Sequence, residues 1–272
     1  MKKPKVTTLI IAISALFASA TSIAQEDLKV WTGHSWSTKL TDEWRVRAGQ
    51  LYLFDERLDL SSIQNNARIE YRFNRRFRLG FGYVRSSSPG DPDQQARNRI
   101  ETRLRLSHRW GKLRIAHTLR PEWHFPERSK FEYRIRYALG LHAGNWGLPL
   151  KITPYITNEL HYYLDGRPFQ YRDSAGEKLV KQSPNGLHAH RIRLGVRFRP
   201  FKRASANVSF MRQREFNIGS PYRSLNVTDP RNGEVKRSFN NFSVLSFSFF
   251  YRIKMNGSAR TASKQNTKTR NL

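Results

Sequence analysis

The chain alternates apolar and polar positions over long stretches. From Ile63 to Phe73 the odd positions read Ile63, Asn65, Ala67, Ile69, Tyr71 and Phe73, while the even ones read Gln64, Asn66, Arg68, Glu70 and Arg72. From Arg99 to Trp110 the parity reverses: Ile100, Leu104, Leu106 and Trp110 are even, and Arg99, Glu101, Arg103, Arg105 and Arg109 are odd. Phe131–Leu141 repeats the pattern, with Tyr133, Ile135 and Tyr137 opposite Arg134 and Arg136. Successive side chains of a strand point to opposite faces, so each stretch predicts a β-strand with one apolar and one charged face. Weaker copies run over Leu28–Trp36, Trp44–Phe54, Phe77–Arg85, Leu113–Trp123, Leu148–Tyr163, His190–Arg199, Ser205–Phe216 and Phe242–Ile253.

Such alternation fits a soluble sandwich with a wet outer face or a membrane barrel with a wet lumen. The segments are longer than the five or six residues usual in globular sheets and match the ~9–11 of a tilted transmembrane strand. Connections also alternate. Short turns are expected at Asn74–Arg76, Gly111, Gly144–Gly147 and Pro200–Lys202, and long polar loops at Ser86–Ala96, Phe125–Lys130, Asp165–Gly186 and Asn217–Asn240. Aromatics cluster beside the short turns: Trp44, Tyr71, Phe73, Phe77, Trp110, Trp146, Phe198 and Phe201. The pattern therefore favours an all-β, antiparallel up-and-down transmembrane barrel of 10–12 strands. Eleven segments are found, whereas bacterial single-chain barrels usually carry an even number, so ten or twelve strands are expected. With the long loops outside, the first segment would also run from the outside inward.

Composition narrows the reading. Residues 1–24 begin with Lys2, Lys3 and Lys5, continue apolar to Phe17 and end in the small-residue motif Ser22-Ile23-Ala24, the order of a secretory signal peptide. The barrel is then expected over 25–254, with 255–272 a disordered basic tail. No later apolar run is long enough for a membrane helix. The chain has no cysteine, which removes disulfide frameworks and thiolate metal sites. The net charge is +28, carried by 34 Arg and 15 Lys, and export argues against a nucleic-acid partner.

Most of that charge has inward parity. Acids are interspersed with bases: Glu70 beside Arg68 and Arg72, Glu101 beside Arg99 and Arg103, Glu122 beside Arg120, and Glu132 beside Arg134. One reading is a lumen packed by ion pairs. The other is an anion path, because Arg191, Arg193, Arg197 and Arg199 form a column without an acid, and arginine rings favour anions. Loop bases such as Arg167, Arg172, Lys178, Lys181, Arg223, Arg231 and Lys236 suit lipopolysaccharide phosphates. Expected partners are outer-membrane lipid and lipopolysaccharide, the barrel-assembly machinery and small anionic solutes. No histidine has a serine at same-face spacing, and no phosphate loop or protease motif appears. His188 and His190 are two candidate ligands on one face, too few for a metal site. The reading is therefore not an enzyme, with neither metal nor cofactor. A lipid-modifying barrel enzyme and a secreted β-sandwich binding anionic polymers are the alternatives.

Trp31 in the opening strand, Tyr71 closing another, Gly82-Tyr83-Val84-Arg85, Arg120 with Glu122, Pro154-Tyr155 with Glu159, and the closing Phe247, Phe249 and Tyr251 follow in succession. This succession, from about Leu28 to Arg252, resembles a family of uncharacterised bacterial outer-membrane β-barrels, the domain of unknown function numbered twenty-four ninety. The resemblance implies a single-domain barrel in the cell outer membrane with no assigned activity, and Arg120, Glu122 and Glu159 as lumen residues. The high arginine content and the basic tail depart from the family's pattern.

Overall fold

The computed structural model describes residues 28–90, 95–126, 131–144, 149–218, 224–235 and 238–254. The expected signal segment and tail lie outside the described residues, as do Trp146, Arg223 and Lys236.

Eleven strands form the wall. They are β1 (Leu28–Lys39), β2 (Trp44–Phe54), β3 (Leu60–Arg72), β4 (Phe77–Ser87), β5 (Arg97–Trp110), β6 (Leu113–Phe125), β7 (Tyr133–Ala143), β8 (Thr153–Leu164), β11 (Gly186–Phe198), β12 (Ala204–Glu215) and β13 (Phe242–Arg252). Between β8 and β11 a separate hairpin, β9 (Phe169–Arg172) and β10 (Lys178–Gln182), stands off the wall in the expected loop Asp165–Gly186. Each of the eleven segments read from the alternation is a wall strand. The segment expected from Leu148 starts later because Pro149–Lys151 forms a single 3-10 turn.

The wall closes completely, which excludes the sandwich. Closure also corrects two expectations, the even strand number and purely antiparallel pairing. Neighbouring strands alternate in direction, so an odd number brings two like-directed strands together at the seam. β1 and β13 pair in parallel from Leu28 opposite Ser243 to Ser37 opposite Arg252. Every other wall pair is antiparallel. Parallel ladders hydrogen-bond all their backbone groups, slightly less stably per residue, so the odd count leaves no open edge. Both seam strands run from the long-loop end to the short-turn end.

The strands are strongly tilted. Following hydrogen-bonded partners from Lys29 at one end of β1 leads through Val244, Met211, Arg193, Thr157, Gly140 and Ala116 to Ser107. The Ser107 amide then donates to the Arg76 carbonyl in a short turn at the opposite end. An 11-residue strand of ~36 Å, tilted by about 45°, spans ~25 Å, the height of an outer-membrane apolar band.

The outer face carries the apolar parity: Ile69, Phe81, Ile100, Leu106, Leu119, Tyr137, Ile156, Leu194 and Phe247 are exposed there. Near the short turns, Trp44, Tyr71, Phe73 and Phe77 form a chain of rings with centroids 4.8, 4.8 and 5.1 Å apart. One polar cluster on this face is self-satisfied. Gln50 Nε2 donates to Asn65 Oδ1 at 2.8 Å, and the Tyr52 hydroxyl donates to Gln50 Oε1 at 2.9 Å.

The parallel seam is directly testable because the chain has no native cysteine. Paired cysteines at Ser35 and Phe250, which face each other across the seam, should cross-link on oxidation within the folded monomer. Asn207 and Ser248 serve as the antiparallel control pair. Cross-linking of the control alone would exclude the eleven-strand closure.

Candidate functional site

The inward parity of β3 to β11 builds one continuous charged network. Strand register carries it: Arg68, Gly82, Glu101, Glu122, Arg134 and Tyr163 lie in one hydrogen-bonded row across six strands. Glycine at position 82 matters because of reach. Arg68 on β3 crosses β4 there, and its Nη2 donates to Glu101 Oε1 on β5 at 2.8 Å. A Cβ on Gly82 would lie 3.2 Å from Glu101 Cγ and 3.5 Å from Arg68 Nε.

Three buried carboxylates are the hubs. Glu101 meets Arg68, Arg99 at 3.5 Å, Arg103 at 3.4 Å and, at the limit of contact, Arg120 at 4.0 Å. Glu122, fully buried, accepts from Arg134 Nε at 2.7 Å and from Arg136, with Arg99 at 3.6 Å, Arg120 at 3.9 Å and His124 at 3.4 Å. Glu159 takes Arg136 at 3.4 Å, Arg191 at 3.2 Å and His161 Nε2 at 2.7 Å. Gln213 extends the chain by accepting from Arg191. Seven arginines thus surround three carboxylates. Cations are in excess even here, and the Nε atoms of Arg68, Arg103, Arg120 and Arg136 are buried without a hydrogen-bond partner.

Of the residues singled out from sequence, Arg99, Glu101, Arg103, Arg120, Glu122, Arg134 and Glu159 meet in this network. Glu70 touches it through Arg68 at 3.7 Å. Arg193 and Arg197 do not join: Arg193 Nη2 contacts Met211 Sδ at 3.2 Å, and Arg197 lies one residue from the short-turn end of β11. The expected Glu132–Arg134 pair is not formed. Glu132 precedes β7 and accepts from outward-facing Trp123 Nε1 at 2.8 Å, leaving Arg134 to Glu122. Arg136, the residue bridging Glu122 and Glu159, was legible only as one more base on that face.

The histidines sort by face. His161 joins the network, while His108 and His117 stack outside at 5.7 Å, with His117 Nδ1 at 2.8 Å from the Tyr137 hydroxyl. The reading of His188 and His190 as same-face neighbours is corrected. A register shift between Leu187 and Ala189 inserts one residue, so Ala189 pairs with inward His161 and His190 with outward Leu160. His188 is buried against the carbonyls of Asn185 and Phe216.

The long-loop end is closed on one side. Leu225 and Phe239 from the β12–β13 loop pack on Tyr163 and Ala189, with Phe131 alongside. Two asparagines hold that loop in shape: Asn217 exchanges two hydrogen bonds with the Leu225 backbone, and Asn226 two with Phe239. Across the barrel, a cavity of about 300 Å³ is lined by Ser61, Ser62, Ser86, Arg97, Arg99 and His124, among others. It opens onto the network at Arg99.

The family model described as Protein of unknown function (DUF2490) matches residues 28–223. The chain belongs to that family, the one its strand succession resembles. No curated protein matches.

Replacing Glu122 with Gln strands Arg134 in a buried setting and leaves Arg136 only Glu159, and breaking one side of a buried pair costs about 3–5 kcal/mol. The E122Q barrel should lose its compact gel mobility at a clearly lower temperature than wild type. E43Q, in an exposed turn, should not. Equal heat resistance of E122Q and wild type would remove Glu122 as a hub.

Proposed function

We propose that this DUF2490 barrel is an outer-membrane protein forming a narrow pore that favours anions. The single observation that carries this is the charge balance of the network in the lumen, where seven arginines face four carboxylates, Glu70, Glu101, Glu122 and Glu159. Lumens lined by an excess of Arg favour anions through a positive potential.

An outer-membrane address is supported by the sequence of 1–24, by strand lengths that suit a ~25 Å apolar band and by the exposed aromatic chain beside the short turns. The short turns then face the periplasm, and the loop bases meet lipopolysaccharide phosphates. The barrel-assembly machinery inserts it. Solutes enter through the cavity at Arg99, across the barrel from the loop lid, and pass the Glu101–Glu122–Glu159 network. No step of catalysis is assigned, since the outward imidazoles of His108 and His117 are engaged with each other and with Tyr137.

Protein refolded in detergent should show heat-modifiable mobility and, in planar bilayers, small discrete currents with anion preference. R99E, at the cavity, should lower that preference several-fold at low salt, and E101Q should raise it. Cation preference in the wild type, or no current at all, would sink the pore reading.

A further inference from the structure

Below the ion-pair network the lumen changes character. Arg78 on β4, Arg114 on β6, His142 on β7, Tyr155 on β8 and Arg197 on β11 lie within three residues of the short-turn ends of their strands, and Arg105 on β5 is cross-strand partner of Arg78. All share the inward parity. Arg78 opposite Arg105 places like charges face to face, and Arg114 opposite His142 adds a second basic pair, with His142 in turn opposite Tyr155. Arg105 lies in electrostatic range of Arg78, Arg114 and Arg197, so Arg197 reaches across from the far wall.

Among the described residues, none of these arginines forms an ion pair with an acid, in contrast to the network above. Glu70, near the short-turn end of β3, lies in electrostatic range of Arg105 but pairs with Arg68 at 3.7 Å. The nearby turn acids are engaged elsewhere: Asp42 with Lys39 at 3.3 Å and Glu43 with the Thr41 hydroxyl at 3.0 Å. The sequence has no acid at 145–148 or at 255–272. Arg114 Nε is buried with no protein partner. Like charges held opposite one another on adjacent strands destabilise a sheet, so this clustering works against the fold unless an anion occupies it. The space is shaped as well. Gly195 lets the Tyr155 ring lie across β11, where a Cβ would come 2.6 Å from the ring and hydroxyl and 2.7 Å from Ser209.

We propose that the short-turn half of the lumen is a binding site for a compact multivalent oxyanion of the phosphate class, held by Arg78, Arg105, Arg114 and Arg197. Guanidinium forks match phosphoryl oxygens through paired hydrogen bonds. Arg78 and Arg105 stand one strand spacing apart, about 5 Å, so two or more linked phosphoryl groups engage several forks at once, which a single carboxylate cannot. The proposal deepens the pore reading and rests on it in one respect, that the lumen is open to water.

The test uses the full chain folded in zwitterionic detergent and reads the temperature at which the compact gel band disappears. Sodium tripolyphosphate should raise that temperature saturably, at concentrations roughly a hundredfold below those at which NaCl acts, with inorganic phosphate between the two. R105Q/R114Q should weaken the apparent affinity at least about tenfold. The double variant should itself be as heat-resistant as wild type or more so without ligand, because it removes repulsion rather than pairing. R197Q on the opposite wall gives the same readout should the double variant not fold, and R231Q in the loop should respond like wild type.

A response no stronger than that to NaCl would overturn the site. So would a response only to a phosphorylated glycolipid that survives R105Q/R114Q, which would assign the phosphates to the outer rim. Anion-selective currents without a tripolyphosphate response leave the pore and remove the site; tripolyphosphate stabilisation without currents does the reverse.

Discussion

A closed wall of eleven strands admits only two destinations for a side chain, outward or into one narrow shared lumen. That constraint governs the rest of the molecule. An eight-stranded barrel is just wide enough for side chains to fill, and eleven strands are only moderately wider. Long arginines from opposite walls therefore come within range of one another, as Arg197 does with Arg105. Charge that would be unremarkable on an open surface becomes, in this space, the main determinant of what the interior tolerates.

The interior answers the constraint in two ways along its axis. Toward the long loops, Glu101, Glu122 and Glu159 break up the positive charge, and small residues make the pairing possible. Gly82 leaves the gap through which Arg68 crosses β4. Toward the short turns Arg78 and Arg105 face one another across the ladder, and Glu70 pairs with Arg68 rather than with either. A buried carboxylate network rigidifies only when its members find partners. Arg136 has two carboxylates, Glu122 and Glu159, whereas Arg114 has no ion pair with an acid among the described residues. The upper half is thus held by its own ion pairs, and the lower half is left to whatever anions water brings to it.

Access is asymmetric around the barrel as well as along it. The β12–β13 loop seals the mouth over β8 and β11 with Leu225 and Phe239, its shape held by side-chain amides that imitate backbone pairing. The cavity over β2 to β6 leads to Arg99 and His124 instead. Both features lie at the end where β1 begins, which follows from the odd strand count and its parallel seam.

The sequence by itself determined which residues face in and which face out, and hence the barrel, its strands and an arginine-lined lumen. That much is legible because alternation is a property of one strand, readable from residues two apart. Which base meets which acid was not legible: Arg134 binds Glu122 on β6 rather than its neighbour Glu132, and Arg136 is a bridge that no local pattern marks. The displacement of His188 by a single inserted residue was equally hidden, since a bulge shows only against a partner strand. The tertiary structure decided these points, together with the parallel closure and the loop lid, because each depends on the register between strands far apart in the chain. A side chain's face is set by its own backbone, and its partner by where the neighbouring strand happens to stop.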